Sequence, residues 1–483
     1  MRLRTTLAAI LLTLPATAVI LAATKEVRHP RQKQAAVQSI DRHRDELIDL
    51  SDRIWKYAEL ALHEDRSAAA LADYAGAQGF TVQRGLSGMP TAFVASYGEG
   101  RPIIGILGEY DALPGLSQKA SPVKEPLEAG AAGHGCGHNM FAPASLGAAL
   151  AIKEMMARGE LRGTIRFYGT PAEESIGGKT YMARDGVFDD LDVALAWHPD
   201  SETRADTESS QAMVDLTVEF RGKAAHAAYD PWNGRSALDG AELFTHGLNM
   251  LREHVHPSVR IHYAITDGGR VPNVIPEYAR VWTWVRDSRR TGVEDVLARV
   301  RDIARGAAVM AGVESTVTVG GGSYEMLVNM AGARLLQDNL EWLGPIRYTD
   351  DEQEFARALQ TATGVEPSGM DGSIQPFSEP PADPPGGSTD VADVSWVVPT
   401  LHLTVATAPK KTPWHAWPVV AAGGMSIGHK GMLHASKTLA ATMVDLYSDK
   451  AARDAITSEF KEKTRGQTFK SYVPDGPPPM QAR

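Results

Sequence analysis

Cysteine is nearly absent from this chain of 483 residues, which carries a single copy at position 136. One cysteine cannot close an intramolecular disulfide, so the fold must be stabilised by its packed core. A lone thiol is also prone to oxidation unless a bound metal ion holds it as a thiolate. The low cysteine count therefore excludes a disulfide scaffold and makes Cys136 a candidate metal ligand.

A surplus of positive charge is also missing, because 59 Asp and Glu residues outnumber 49 Lys and Arg residues and give a net charge of -10. This balance works against non-specific attraction to nucleic acid, and no basic arm or stripe reverses it. We therefore expect no nucleic-acid partner. The hydrophobic share of 43% and the charged share of 22% are ordinary for a soluble globular protein.

The one long apolar run spans residues 7–23, follows Arg2 and Arg4, and ends in small residues. This layout is typical of a secretory signal peptide, which we assign to residues 1–23. An uncleaved anchor is the alternative, because about 20 apolar residues can span a bilayer. Pro15 and several Thr and Ala residues make a poor membrane helix, so we favour cleavage. The expected protein is exported, periplasmic or secreted, with no stable membrane span once the signal is removed.

The chain is too long for one hydrophobic core, since such cores stop growing near roughly 250 to 300 residues. Short apolar strands alternate with helical patterns over residues 24–212, which predicts an α/β sheet. One helical pattern over 35–62 and a second over about 67–77 precede the strands. Residues 213–321 form a self-contained block that predicts an inserted α+β domain, and the first pattern resumes over 322–450. Residues 451–483 are expected to form a loosely ordered tail.

Polar groups that can bind metal follow successive apolar strands or precede the helix beside them. In open α/β sheets, ligands bind outside the carboxyl ends of the strands, so groups at these positions can converge. Four such positions in a row predict a shared site. Its members are Glu109 and Asp111, Cys136 and His138, Glu173 and Glu174, and His198.

The most specific segment is Gly-His-Gly-Cys-Gly-His-Asn over residues 133–139. Cys136 and His138 are two residues apart in an extended or turning segment, so a thiolate and an imidazole can face one cation. The alternative is a glycine turn that enters a helix with an incidental cysteine. A nucleotide-binding loop is disfavoured, because neither a Gly-x-Gly-x-x-Gly nor a Walker pattern is present.

Adjacent carboxylates at Glu173 and Glu174 suit two roles, with one binding metal and the other moving a proton. Taken alone, the pair could be solvated charge, and His198 could be a structural histidine. Their positions after buried strands favour the functional interpretation. In the inserted block, His226 could donate a hydrogen bond to a developing oxyanion, and Asn273 could position a substrate.

Read together, these motifs resemble the zinc peptidase family that includes aminoacylase, glutamate carboxypeptidase and the hydrolases of indole-acetyl-amino acids. The resemblance covers residues 38–450 and is strongest to the amidohydrolase branch, including its aminobenzoyl-glutamate type. It implies an α/β, phosphorylase/hydrolase-like dinuclear metallopeptidase domain with an inserted ferredoxin-like lid and dimerisation domain. The motifs that carry it are Gly-Glu-Tyr-Asp-Ala-Leu-Pro (108–114), the 133–139 segment, Pro-Ala-Glu-Glu (171–174), Trp-His-Pro (197–199), Gly-Lys-Ala-Ala-His-Ala (222–227), Gly-Ser-Thr-Asp-Val-Ala-Asp-Val-Ser-Trp (387–396) and Ser-Ile-Gly-His-Lys-Gly-Met (426–432).

The resemblance implies a role for each candidate residue. Glu173 would be the general acid and base, His226 would stabilise the tetrahedral intermediate, and Asp111 would orient the ligands. A cation of the lid would bind the free carboxylate of the substrate, with Lys223, Arg235 and Arg286 as candidates. The implied metal ligands are Cys136, His138, Glu174, His198 and His415.

The implied activity is metal-dependent hydrolysis of the amide bond of N-acyl amino acids such as p-aminobenzoyl-glutamate. Two divalent ions per subunit are expected, with zinc favoured by the thiolate and imidazoles and manganese admitted by the carboxylates. Several relatives use a histidine ligand at the position of Glu109, so metal attachment here would shift to Cys136 and His138. A homodimer through the lid is expected, and a homologous partner subunit is an alternative.

Two other classes compete with this interpretation. In a cysteine hydrolase, Cys136 would be the nucleophile and a histidine its base, and chelation would leave the enzyme active. A non-catalytic binding protein could keep the fold without the reaction. The presence of Glu173 argues against the second class.

Overall fold

The computed structural model describes residues 28–381, 384 and 386–479. The predicted signal peptide, residues 1–23, lies outside these residues. Within the described part of the chain, no helix has both the length and the apolar character needed to cross a membrane.

A seven-stranded mixed sheet forms the centre of the larger domain, in the order β1-β2-β4-β3-β5-β11-β6. Four adjacent strands, β4, β3, β5 and β11, run parallel. Parallel strands are buried on both faces, which explains the continuous apolar run at the start of β5. The strands are β1 (Thr81–Arg84), β2 (Phe93–Glu99), β3 (Ile103–Gly108), β4 (Gly163–Gly169), β5 (Val193–Asp200), β6 (Arg204–Ala205) and, after the inserted domain, β11 (Thr400–Ala406).

Helices surround this sheet, and the central one, α4, is buried along nearly its whole length between the sheet and α12. Because α4 is apolar on all sides, it belongs in the interior rather than at the surface. The helices are α1 (Pro30–Arg42), α2 (Arg44–Tyr57), α3 (Asp65–Ala77), α4 (His138–Ala157), α5 (Gly178–Arg184), α6 (Ala237–Leu251), α7 (Arg290–Ala311), α8 (Met330–Leu343), α9 (Asp350–Ala362), α10 (Val391–Val397), α11 (Trp417–Gly423), α12 (Ser426–Ser448) and α13 (Lys450–Lys463).

The inserted domain is a second sheet with its own hydrophobic core. Its strands are β7 (Ala212–Arg221), β8 (Arg260–Asp267), β9 (Tyr278–Asp287) and β10 (Glu314–Ser323), paired antiparallel in the order β10-β7-β9-β8. With α6 after β7 and α7 after β9, the connectivity is the β-α-β-β-α-β of ferredoxin-like domains. The lid and dimerisation roles of this domain remain predictions.

Two sequence expectations differ from the structure. The helical pattern over 35–62 is two helices, because the backbone at His43 (φ -93°, ψ 7°) leaves the helical range between α1 and α2. The segment expected to be a loose tail begins with α13, which Asp449 caps through bonds to two backbone N–H groups. Ile456 is buried, and Asn329 donates a hydrogen bond to its carbonyl, so the helix is tied to the domain. The residues of α13 are mostly polar, so the sequence pattern did not indicate that this helix packs on the domain through Ile456.

Candidate metal centre

The glycine-rich segment before α4 brings Cys136 and His138 to the edge of the sheet beside β5. Gly137 adopts φ +79°, and a Cβ there would lie 3.0 Å from the ring of Pro199. A side chain would therefore strain the turn and crowd the strand that carries His198. In this arrangement Cys136 Sγ lies 3.4 Å from His198 Nε2. The turn thus joins thiol and imidazole groups from segments far apart in sequence.

His138 is fully buried between two carboxylates. Its Nδ1 lies 3.0 Å from Asp111 Oδ1, and its Nε2 lies 3.0 Å from Glu109 Oε2. Although burial disfavours the charged ring, Glu109 and Asp111 together hold the pKa of His138 well above its usual value. The Nε2 atom forms no aligned hydrogen bond within the described residues. A carboxylate on Nδ1 is the support that metal-binding histidines usually have, and a cation at Nε2 would have to displace the proton that now faces Glu109.

His198 is held in the neutral form that binds metal. Its Nδ1 lies 2.7 Å from the carbonyl oxygen of Pro199, which can only accept, so Nδ1 carries the proton and donates it. The lone pair of Nε2 is then directed at Cys136. Burial, with a further contribution from the charge of His138, lowers the pKa of His198 to about 4.

Glu174 follows β4 and links the Asp111 side of the site to His415. Its backbone N–H donates to Asp111 Oδ2 at 2.8 Å, and its Oε2 lies 3.5 Å from His415 Nε2. Burial raises the pKa of Glu174 to about 7, against the opposing charge of His138. The buried Oε1 of Glu174 has no hydrogen-bond partner among the described residues. An unpaired buried carboxylate oxygen is costly unless a cation binds it.

Glu173 lies beside the same group, and its carboxylate approaches Glu109 and His138. Burial, followed by the charges of Glu109 and Asp390, raises the pKa of Glu173 well above its usual range. A nearby cation would favour the ionised form instead. Glu173 is therefore a carboxylate whose proton affinity depends on the charges around it, as proton transfer requires.

A buried lysine that the sequence analysis did not identify pairs with the acids behind the site. Lys179 Nζ lies 2.8 Å from Glu109 Oε1 and 2.6 Å from Asp390 Oδ1, and all three side chains are almost fully buried. Lys179 thus divides its charge between Glu109 and Asp390, and Glu109 is bonded to this lysine on one side and to His138 on the other. The available sequence signal was weak, since Asp390 belongs to the 387–396 motif but nothing local marks Lys179.

The five predicted ligands form two groups whose donor atoms lie within 4.8 Å of one another. Cys136 belongs to both groups, so two ions could be bound side by side. Burial raises the pKa of the Cys136 thiol, and such a thiol becomes a thiolate only next to a cation. The donor set and the unpaired Glu174 oxygen therefore fit a divalent metal site. The groups are Cys136, His138 and His198, and Cys136, Glu174 and His415.

The predicted residues of the inserted domain do not join this cluster. His226 is exposed, and its Nδ1 accepts hydrogen bonds from the backbone N–H groups of residues 228 and 229. Asn273 is exposed on the neighbouring turn, where His226 pairs with Val274. Arg286 is half-buried on β9 and lies 3.4 Å from Ser388 Oγ. Within the described chain, the contacts of His226 stay inside its own domain.

A cleft of about 200 Å³ lies beside the metal ligands in the larger domain. His198 and Glu109 lie at one end, and Ser388, the contact of Arg286, forms part of its wall. The cleft therefore extends from the metal ligands toward the base of the inserted domain. A small polar substrate could occupy it.

Comparison with known proteins identifies the family. Residues 105–377 match the peptidase family M20/M25/M40. The chain belongs to this family. It is 36% identical over 463 residues to one of the subunits of p-aminobenzoyl-glutamate hydrolase from Escherichia coli (strain K12), covering 90% of this chain and 96% of that protein. It is also 30% identical to the Xaa-Arg dipeptidase of Homo sapiens, covering 91% and 94% of the two chains.

Solved structures share the fold. An aminobenzoyl-glutamate utilization protein from Klebsiella pneumoniae matches with a TM-score of 0.59 at 18% identity, over 85% of this chain and 98% of that one. A dinuclear metal-binding M20 peptidase of Bacillus subtilis matches with a TM-score of 0.58 at 18% identity, over 84% and 99%. The family and the α/β metallopeptidase fold predicted from the motifs are confirmed. This M20 protein is an amide-bond hydrolase, and its structure contains groups of residues that could hold a metal ion.

Proposed function

We propose that this M20 protein hydrolyses the amide bond of N-acyl amino acids of the p-aminobenzoyl-glutamate type, with Glu173 as general acid and base. The observation that carries the proposal is the convergence of five potential ligands beside Glu173 at one sheet edge. The 36% identity to a p-aminobenzoyl-glutamate hydrolase protein supports the choice of substrate class.

Two divalent ions would be held by Cys136, His138, Glu174, His198 and His415. Zinc suits the thiolate and imidazoles, and manganese remains compatible with the carboxylate. When bound, the ions would supply Lewis-acid polarisation of the amide carbonyl and acidify an attacking water. Asp111 keeps the His138 ring in place through its bond to Nδ1.

Glu173 carries the proton through the reaction. Its carboxylate accepts a proton from the attacking water and returns it to the departing amide nitrogen, which leaves as an amine. The surrounding carboxylates Glu109 and Asp390 raise its proton affinity, and Lys179 offsets their charge. Lys179 pairs with both of these carboxylates and so reduces the negative charge beside Glu173.

The inserted domain would supply the remaining contacts to the substrate. His226 would stabilise the tetrahedral intermediate, Asn273 would position the substrate, and Arg286 would bind its free carboxylate. Because His226 contacts only its own domain here, it would reach the reacting carbonyl by closure of this domain as a lid or from a second copy of the chain. The route from a second copy of the chain would require a homodimer through this domain or a pair with a homologous protein. Two relatives are named as different subunits of one hydrolase, which favours testing both arrangements.

A cysteine mechanism is the second candidate, because Cys136 and His198 are in contact at 3.4 Å. Burial raises the pKa of this thiol, with Glu174 and Glu173 adding to the effect. A nucleophilic cysteine requires the opposite shift. The contact is therefore better explained by two ligands that share a cation.

We also propose that the protein is exported, on the basis of the signal-like residues 1–23. Expression of the full chain, followed by N-terminal sequencing of the protein from the culture medium and the periplasm, tests this. A mature N-terminus near residue 24 is expected, and an intact N-terminus in the cytosolic fraction would contradict it.

The activity is tested with purified protein and a panel that contains p-aminobenzoyl-glutamate, N-acetyl amino acids and Xaa-Arg dipeptides. We expect hydrolysis of at least one N-acyl amino acid, loss of activity on chelation, and recovery with zinc or manganese. Activity that survives chelation but is abolished by thiol alkylation supports the cysteine mechanism instead. Cleavage of Xaa-Arg dipeptides alone would overturn the proposed substrate class.

A further inference from the structure

Glu64 is a fully buried carboxylate that no step of the proposed reaction uses. It directly precedes α3 and has no exposed surface. Its Oε1 accepts a hydrogen bond from the backbone N–H of Ala172 at 2.9 Å, and its Oε2 accepts one from Thr91 Oγ1 at 3.0 Å. Burying a carboxyl group costs free energy unless hydrogen bonds satisfy its oxygens. The groups that Glu64 binds therefore indicate what this residue does.

The residue that Glu64 holds has an unusual backbone. Ala172 adopts φ +63°, in the left-handed region that a Cβ disfavours, and it immediately precedes Glu173. Its carbonyl accepts a hydrogen bond from Gly177 N at 3.1 Å, which closes the loop on its other side. Strained backbone persists only where surrounding contacts enforce it, and such positions cluster at functional sites.

A second carboxylate holds the opposite side of Glu173. The backbone N–H of Glu174 donates to Asp111 Oδ2 at 2.8 Å. The amides immediately before and after Glu173 are therefore each bonded to a buried carboxylate from another part of the chain. Both neighbours of Glu173 are therefore held by hydrogen bonds, which restrains the backbone from which its side chain extends.

We propose that Glu64 is a positioning residue, which holds Ala172 in its left-handed conformation so that Glu173 is presented correctly to the substrate. This inference rests on the role proposed for Glu173. The proposed role requires a side-chain oxygen at position 64 that accepts the hydrogen bond from the backbone N–H of Ala172. It does not require a negative charge on Glu64. Glutamine should therefore substitute for it, whereas a side chain of similar size without an acceptor should not.

The test compares Glu64→Gln, Glu64→Met and Thr91→Val, with Glu64→Asp as a second disruptive variant that withdraws the acceptor by one methylene. Thr91→Val is the matched control, because it removes the other hydrogen bond of Glu64 and leaves the bond to Ala172. We expect kcat to fall about 10- to 100-fold in Glu64→Met with KM nearly unchanged, since small misplacement of a catalytic group has effects of this size. Glu64→Gln and Thr91→Val should keep most of the wild-type kcat.

A readout independent of activity is deuterium uptake at residues 171–178 in metal-free protein. Glu64→Met and Glu64→Asp should speed uptake in this loop and leave α4 and the inserted domain unchanged. Equal effects of Glu64→Met and Thr91→Val, uptake that rises throughout the chain, or wild-type uptake and kcat in Glu64→Met would each overturn the proposal. If the wild-type protein hydrolyses none of the substrates, the proposed function fails while the uptake experiment still tests the contact.

Glycine at position 172 gives a sharper test, because glycine adopts φ +63° without strain. In an Ala172→Gly background, replacing Glu64 with Met should lower kcat several-fold less than it does with Ala172 present. Such a result requires that Glu64 acts through the conformation of residue 172. An equal loss in both backgrounds would contradict the proposal, because it would mean that Glu64 affects activity by some other route.

Discussion

Most candidate residues of the larger domain are buried or partly buried and lie close together, with His415 as an exposed member, whereas His226 and Asn273 of the inserted domain lie on exposed turns. Cys136, His138 and His198 offer donor atoms within 4.8 Å of one another. His226 and Asn273 contact neighbouring turns of their own domain. Residues at the carboxyl ends of parallel strands lie close together as soon as the sheet has formed. Residues on the exposed turns of the antiparallel sheet would need domain closure or a partner subunit to reach the same site. The comparison separates metal binding from substrate handling.

The largest effect on kcat is expected at Glu173, which lies beside the proposed metal ligands and would act on the substrate. Glu173→Gln should lower kcat about 10²- to 10⁴-fold, because the amide cannot accept and return the proton. Metal content should stay at the wild-type level, since Glu173 is not among the proposed ligands. Glu174→Gln is the matched variant and should lose metal as well as activity. Wild-type activity in Glu173→Gln would remove the proposed general base.

A loss of about 10²- to 10³-fold in kcat is expected for His226→Ala, the size seen when one oxyanion donor is removed. Metal content should not change, because His226 lies outside the ligand groups. Measurement of kcat and bound metal on the same preparation checks this. Parallel loss of metal and activity would contradict the separation of the two regions.

Mixing variants tests whether His226 acts between subunits. If it does, His226→Ala and Glu173→Gln chains should complement each other after mixing and re-equilibration. Random pairing in a two-fold dimer would restore about a quarter of the wild-type activity. Recovery would favour the dimer over closure within one chain, and absence of recovery in mixed dimers confirmed by mass would favour closure.

A smaller effect is expected for metal affinity in Cys136→Ser. Loss of the thiolate that belongs to both ligand groups should weaken metal binding by at least about 10- to 100-fold. Replacing a residue that only supports a ligand already has an effect of about this size. Excess zinc should then restore part of the activity, and titration with a chromogenic chelator measures both affinities. A cysteine nucleophile predicts the reverse, with metal-independent activity in the wild type that zinc cannot restore in Cys136→Ser.

The smallest effect concerns stability and is confined to the larger domain. Burial raises the pKa of Asp393 to about 8 from 3.8, with bonds from Thr180 and Tyr324 opposing the shift. A folded-state pKa above the unfolded value means that the stabilisation is complete below about 4 and is lost as pH rises toward 8. Asp393→Asn, which resembles the protonated acid, should therefore gain stability relative to wild type over this range.

Each unit of pKa difference corresponds to about 1.4 kcal/mol, so the relative gain should reach at least that size by pH 8. Urea unfolding of chelator-treated wild type and Asp393→Asn at pH 5, 6.5 and 8 measures the difference. A difference that does not change with pH would show that Asp393 titrates as it does in the unfolded chain.

The sequence predicted the larger domain's site better than its surroundings, for a physical reason. Polar residues beside the strand ends predicted that Cys136, His138, Glu174 and His198 would converge, and the structure brings them together because strand ends in a parallel sheet share one edge. The pairing of Lys179 with Asp390 spans 211 residues, and no local pattern records such a contact. Glu64 was missed for the same reason, since its bond to Ala172 exists only after folding.

In the inserted domain, the type of fold could be predicted from the sequence better than the placement of the candidate residues. The block predicted as α+β at 213–321 corresponds to Ala212–Ser323, which forms a four-stranded sheet with two helices. The position that the proposed role of His226 requires could not be predicted, because that role would depend on closure or assembly rather than on the contacts His226 makes in its own domain. Periodicity therefore predicts elements well and predicts the placement of exposed side chains poorly.

Metal content by mass spectrometry, measured on wild type, His198→Ala and His226→Ala purified without added metal, tests the central claim most directly. We expect about two divalent ions per chain in wild type and in His226→Ala, and a loss of at least one in His198→Ala. An active wild-type protein without bound metal, or a His198→Ala variant with full metal content, would contradict it.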